Sequence, residues 1–213
     1  MAFRGGGNSV SIHGYKGPTS SLNGAPPPQH TFGASMAGYA AAQNINSGRP
    51  ELLEALNVLG FTQPSKIQEF ALPLLIMEPP TNIIAQSQSG TGKTATFVLT
   101  MLSRVNASVK HPQCLCLAPT YELAIQIGEH YHLMLVDYLT KYHCLDPSHI
   151  SCLVLDEADV MINQAGYTEQ STQIYKTIET HSPGVQTMLF SATYGEDVVK
   201  FAMQLIKNAV TVT

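Results

Sequence analysis

A chain of 213 residues, 44% of them hydrophobic, has enough apolar side chain for one sizeable core with a tail besides. Its formal charge of −4 argues against a dedicated phosphate-gripping module, because nucleic-acid affinity comes mostly from Lys and Arg displacing counterions. No apolar run approaches the roughly 18 residues of a membrane span, and the start MAFRGGGNSV lacks a signal-peptide core and a myristoylation glycine, so an intracellular protein without membrane insertion is expected.

Residues 1–46 are rich in Gly, Ser, Ala, Pro and Asn, include the run Pro26 to Pro28 and show neither apolar period, the composition of a disordered tail. From Pro50 the pattern changes. Leu52, Leu53, Leu56 and Leu59 recur at helical spacing, Pro50 suits a first turn and Gly60 a stop, so a folded domain is expected over 47–213. Short apolar runs at 82–86, 113–118, 151–156, 185–191 and 209–213 read as buried strands. They alternate with helical stretches at 93–104, from 122 into the 130s, and at 168–179 and 196–206. Strand and helix in alternation predict an α/β fold, a parallel sheet flanked by helices. In such sheets ligands bind beyond the carboxyl ends of the strands.

After the first of these strands comes Ser87-Gln88-Ser89-Gly90-Thr91-Gly92-Lys93-Thr94, leading into a helical pattern. Small residues let backbone N–H groups close around phosphate oxygens, the helix N-terminus adds positive potential, Lys93 can reach the outer phosphates, and the Thr94 hydroxyl can bind Mg2+. Ser87 stands where the general pattern has its first glycine. The plainer alternative is a Gly-rich turn opening a helix, and the strand before it favours the phosphate loop.

At the end of the apolar strand Cys152 to Leu155 stand Asp156-Glu157-Ala158-Asp159. Asp156 would hold Mg2+ through its water shell and Glu157 would orient or deprotonate an attacking water. Alone, such a strand end is more often a helix cap; beside a phosphate loop it reads as the second half of a phosphate-loop NTPase site. The four cysteines, Cys114, Cys116, Cys144 and Cys152, lie in or beside apolar runs without C-x-x-C spacing, as expected of reduced structural thiols. The eight histidines are scattered without an H-x-x-x-H pair, so no histidine metal site is expected.

The string D-E-A-D, the loop AQSQSGTGKT and Ser191-Ala192-Thr193 together resemble the DEAD-box RNA helicase family, which implies a RecA-like fold, ATP and Mg2+ as cofactors, and RNA as a partner. Gly60-Phe61, Pro64-Ser65 and Ile67-Gln68 resemble its Q motif. That implies that Gln68 hydrogen-bonds the adenine edge, one amide offering donor and acceptor, while Phe61 packs on the ring; by itself Gln68 would read as a solvated helix residue. Pro119-Thr120-Tyr121-Glu122-Leu123-Ala124 resembles motif Ia, which implies an RNA-backbone contact at Pro119 and Thr120. Ser191 and Thr193 imply, with Asp159, a link between ATP state and RNA binding, although polar residues ending a strand usually satisfy only backbone groups.

Tyr121 stands where most members have arginine. With Pro64 to Gln68 and Asp159-Val160-Met161-Ile162, it resembles the mRNA-export branch, which implies nuclear-pore and export-factor partners and a cytoplasmic and nuclear location.

The resemblance covers about 50–213 and includes only the first of the family's two RecA-like domains, without the arginine fingers. Very weak hydrolysis and no unwinding are therefore expected of this chain alone. Between Ala124 and Asp156 the family places a strand-helix-strand, with double-glycine and T-P-G motifs that do not occur here. Met134 to Leu139 resembles the helix after T-P-G, so the domain reads as shortened between about 130 and 136, with one continuous helical segment from about Glu122 to Tyr142. If the lost strands lay at an edge the remainder can fold; if they were interior, pairing fails. No aromatic stands within three residues of Gln43, where members carry one upstream of the Q motif. The alternative function is a non-catalytic truncated variant acting as an interaction or competitor protein.

Overall fold

The computed structural model describes residues 2–4, 52, 54, 63–127 and 145–212. Phe61, the aromatic position near Gln43, the join near His132 to Met134 and Cys144 lie outside the described residues. So does the expected continuous helix beyond Ile127. Of the helix expected from Pro50, Leu52 and Glu54 are helical, and Leu52 is buried.

In chain order the elements are β1 (Ala2–Arg4), α1 (Lys66–Ile76), β2 (Ile83–Gln86), α2 (Lys93–Arg104), β3 (Pro112–Leu117), α3 (Tyr121–Ile127), β4 (Cys152–Leu155), α4 (Ala158–Ile162), α5 (Tyr167–His181), β5 (Gln186–Ser191), α6 (Glu196–Leu205) and β6 (Val210–Val212). A short 3-10 turn, Pro147–His149, precedes β4. The sheet order is β1-β3-β4-β5-β2-β6, with β3, β4, β5, β2 and β6 parallel and β1 antiparallel to β3.

The four central strands are buried along almost their whole length, so they read as continuous apolar runs rather than alternating ones. The alternation reappears in what each side chain touches. Ile83, Ala85, Cys114, Cys116, Cys152, Val154, Met188 and Phe190 pack with Ile67, Leu75, Phe97, Met101 and Ile127 of α1, α2 and α3. Ile84, Leu115, Leu117, Leu153, Leu155 and Leu189 pack with Met161, Ile174, Ile178, Phe201 and Leu205 of α4, α5 and α6. Two core layers thus flank one sheet, the RecA-like arrangement expected. Burial pushes the Cys116 thiol up to about 12, and Cys114, Cys116 and Cys152 are all buried thiols, the setting of inert structural cysteines.

Two departures have physical causes. Ala2–Arg4 pair with β3 inside the segment whose composition reads as a tail. A parallel strand with a bare edge offers unpaired N–H and C=O groups to any extended segment in reach, and composition does not register that demand. Among the described residues the five parallel strands are contiguous in their ladder. Helix α1 is absent from the pattern reading because Pro73 lies inside it and removes an internal N–H. It is held by a capping box at Ser65 and Gln68 and by Arg104 of α2, which donates to the carbonyls of Leu75 (2.8 Å) and Met77 (3.0 Å) at its other end. Among the described residues no helix is long and apolar enough to cross a membrane.

Candidate functional site

The strand order sets the carboxyl ends of β3, β4, β5 and β2 side by side. In consequence Pro119 and Thr120, then Asp156 to Asp159, then Ser191 to Thr193, then Ser87 to Thr94 follow one another along one rim. Of the candidate site residues named from the sequence, only Phe61 lies outside the described residues.

The loop after β2 closes on itself. The Ser87 N–H donates to the Ser191 carbonyl (3.0 Å), tying the loop's first residue to the end of β5. The Ser87 and Thr91 hydroxyls hydrogen-bond each other, and Thr91 also donates to the Gln88 carbonyl (2.7 Å). The Lys93 ammonium, 8% exposed, donates to the Ser87 carbonyl. Gln88, Ser89, Gly90 and Thr94 face solvent.

Gly92 caps α2 at φ 94° and supplies no side-chain cap, so the positive end of a twelve-residue helix faces the loop. A Cβ there would sit 2.6 Å from Gln68 Nε2 and 3.0 Å from Ser65 Oγ, which only glycine avoids.

Gln68 explains that close approach. Its Oε1 accepts from the Ser65 N–H (2.9 Å), and its Nε2 donates to the Gly92 carbonyl (3.2 Å). At 3% exposure it is not the solvated helix residue of the plainer alternative. The S-x-x-Q spacing of a capping box was visible in the sequence; its reach to Gly92 was not.

Asp156 closes β4 at 3% exposure. Burial pushes its carboxyl up to about 6, against the lowering effects of the Glu157 N–H and the Lys93 charge, and Glu157 and Asp159 push it further up. The Glu157 N–H donates to Asp156 Oδ1 (3.0 Å). Glu157 itself sits at φ 54°, ψ 50°, the left-handed region that costs an L-residue about 1–2 kcal/mol. Nothing in the amino-acid pattern signals that strain.

One turn further, Asp159 Oδ2 accepts from the Thr193 N–H (3.1 Å) and hydroxyl (2.9 Å), while Ser191 Oγ donates to the Thr193 carbonyl (2.6 Å). Partial burial pushes the Asp159 carboxyl up, but the two hydrogen bonds from Thr193, with the Ser191 hydroxyl close by, outweigh it and hold the group below its usual value. Its Oδ1 is buried without a hydrogen-bond partner among the described residues. Beyond β3, Pro119 is buried and Thr120 exposed; Thr120 Oγ1 accepts from the Leu123 N–H (3.2 Å), opening α3.

A family model described as DEAD/DEAH box helicase matches residues 65–146 and 132–201. The human ATP-dependent RNA helicase DDX19A is 42% identical over 195 residues, taking in 75% of this chain and 40% of that protein. The chain thus spans well under half the length of this relative. Among solved structures, Saccharomyces cerevisiae Dbp5 L327V bound to Gle1 H337R and IP6 superposes with a TM-score of 0.72 at 36% identity, over 79% of this chain and 51% of that one. Yeast Dbp5 bound to RNA and ADP BeF3 gives 0.70 at 36% identity, over 79% and 51%.

Proposed function

The chain belongs to the DEAD/DEAH box helicase family, and on that premise we propose that it binds ATP with Mg2+ along the rim of β2 and β4 and presents part of an RNA-binding surface at Pro119 and Thr120. The observation that carries this is Asp156, a buried carboxyl raised to about 6 on the rim that also holds Lys93. A buried acid without a cation is costly, and a divalent ion removes the cost.

The site fits its cofactor. Ser87 to Lys93 would cradle phosphates, with Lys93 exchanging the Ser87 carbonyl for a phosphate oxygen, and Gln68 and Phe61 would hold adenine. Thr94 and Asp156 would hold Mg2+, which supplies charge neutralisation of the outer phosphates when bound. Glu157 would place the attacking water, with Asp156 and Lys93 as the other catalytic groups. Asp159, Ser191 and Thr193 form the bonded link through which nucleotide state reaches the RNA face.

We extend by likeness to the mRNA-export branch the partners single-stranded RNA and nuclear-pore and export factors, in cytoplasm and nucleus. The shortened domain finds support in the alignment with the human relative. It runs over 195 positions, more than the 75% of this 213-residue chain that it takes in, so part of that relative's segment has no counterpart here. That shortening favours a second reading, an interaction or competitor protein that keeps the surface and loses turnover. In phosphoryl transfer an arginine finger is worth about 10³ to 10⁵ in rate, and hydrolysis by this chain alone should be very weak.

Titration of a fluorescent ADP analogue with and without Mg2+ tests the core of the proposal. Magnesium-dependent binding that Lys93→Ala weakens supports it; no saturable uptake by folded protein overturns both readings that need bound ATP. Phosphate release stimulated by RNA then separates enzyme from competitor.

A further inference from the structure

On the opposite rim, at the amino ends of the strands, the topology builds a second cluster that linear spacing conceals. β3 and β4 are parallel neighbours with Cys114 opposite Cys152. His111 precedes Cys114 by three residues, and His149 precedes Cys152 by three, so the two imidazoles arrive side by side. Their rings stack at 4.2 Å between centroids and 23° between planes. Asp146 joins them through His149 Nδ1, 3.1 Å from its Oδ2. One ligand atom from each of His111, Asp146 and His149 lies within 4.8 Å of the other two.

We propose that His111, His149 and Asp146 form a binding site for a first-row divalent transition ion of the Zn2+ class. Two imidazole nitrogens and one carboxylate oxygen are the donor set that suits such ions, with water completing a tetrahedron. Asp146 is already oriented: its Oδ1 accepts from the Ser148 N–H (2.9 Å) and hydroxyl (2.7 Å), as hydrogen-bonded neighbours orient a carboxylate that ligates a metal. Donors on one zinc ion at about 2.0–2.1 Å stand roughly 3.3 Å apart, so the rings must unstack and draw in. Their partial exposure leaves room for that rotation. A bound ion would tie the loop before β3 to the turn entering β4, on the rim away from the phosphate loop. Mg2+, a hard ion that keeps its waters, does not compete for this donor set.

The test is calorimetry of the full chain, stripped with chelator, against Zn2+ alone, in parallel with His111→Ala and His149→Ala. The site predicts one saturable equivalent, undisturbed by excess Mg2+, that either substitution weakens at least about tenfold. It also predicts a zinc-dependent rise in thermal midpoint that both variants lose. The other six histidines provide the control. Zinc uptake and midpoint shift unchanged in both variants, or no saturable equivalent in the parent chain, overturn the proposal. His111→Gln keeps bulk and polarity and gives the same reading should truncation lower the folded yield.

Discussion

The phosphate loop and the acidic end of β4 stand on one rim with only β5 between them, yet they settle their charges in opposite ways. In the loop two donors are turned inward: Lys93 bonds the Ser87 carbonyl and Thr91 the Gln88 carbonyl. At the end of β4 a carboxyl is buried and raised to about 6, and the next residue is held left-handed. Under the proposed function Lys93 gives up its bond to the Ser87 carbonyl for a phosphate, whereas the acidic end gains a cation. Binding therefore trades self-contacts in one half for relief in the other, and four perturbations probe that trade.

The largest effect falls on Asp156. Its carboxyl ionises near 3.8 when unfolded and near 6 in the native protein, so its contribution to stability is fully present below about 3.8 and is lost as pH rises through about 6. Two units of raised pKa correspond to on the order of 3 kcal/mol. Asp156→Asn should raise the thermal midpoint of the nucleotide-free protein at neutral pH by several degrees, flatten the slope between pH 4 and 6, and erase the Mg2+ dependence of nucleotide binding. An unchanged pH-stability curve would falsify the claim that this end is strained.

Lys93→Ala removes a charge-assisted donor worth about 1.5–3 kcal/mol, so analogue affinity should drop by about 10- to 100-fold with a near-parental melting curve. If melting and affinity fall together, the lysine is holding the loop rather than a phosphate.

Gly92→Ala forces a Cβ against Gln68 at φ 94° and should cost roughly 1–3 kcal/mol of stability in denaturant unfolding. Pairing it with Gln68→Ala sharpens the attribution: the double variant should recover part of the loss.

The smallest effect is at Thr193. Asp159 is held below its usual value, so its contribution is present above the unfolded pKa and fades as pH falls through the folded one. With the group only partly buried and its bonds to Thr193 open to solvent, Thr193→Val should cost under about 1 kcal/mol at neutral pH and nothing in strong acid. A larger loss that persists in acid would point to packing instead.

Apolar runs located all five parallel strands to within about a residue at most ends, because a strand buried on both faces leaves an uninterrupted signature. Helix α2 matched at both ends, since Gly92 and the phosphate loop mark its start. Helix α1 escaped because its order comes from Ser65, Gln68 and Arg104 rather than from periodicity. The short α4 follows Glu157 and has one turn of sequence in which to announce itself. The rim residues were legible through motif resemblance. The contacts among them, such as Gln68 on Gly92 and Ser87 on Ser191, are long-range and need the folded sheet. The same holds for His111 and His149, scattered in the chain and adjacent in space.

Arg104 gathers several of these threads. Its Nε donates to Gln186 Oε1 (3.0 Å), and its terminal nitrogens reach Glu78 and the Leu75 and Met77 carbonyls. Gln68 meanwhile joins the opposite ends of α1 and α2 through Gly92. Riveted at both extremities, the two helices cannot fray independently, so their amides should exchange with deuterium at a common opening free energy. A lysine at position 104 lacks the planar fork to serve these acceptors at once, and there α1 should exchange ahead of α2.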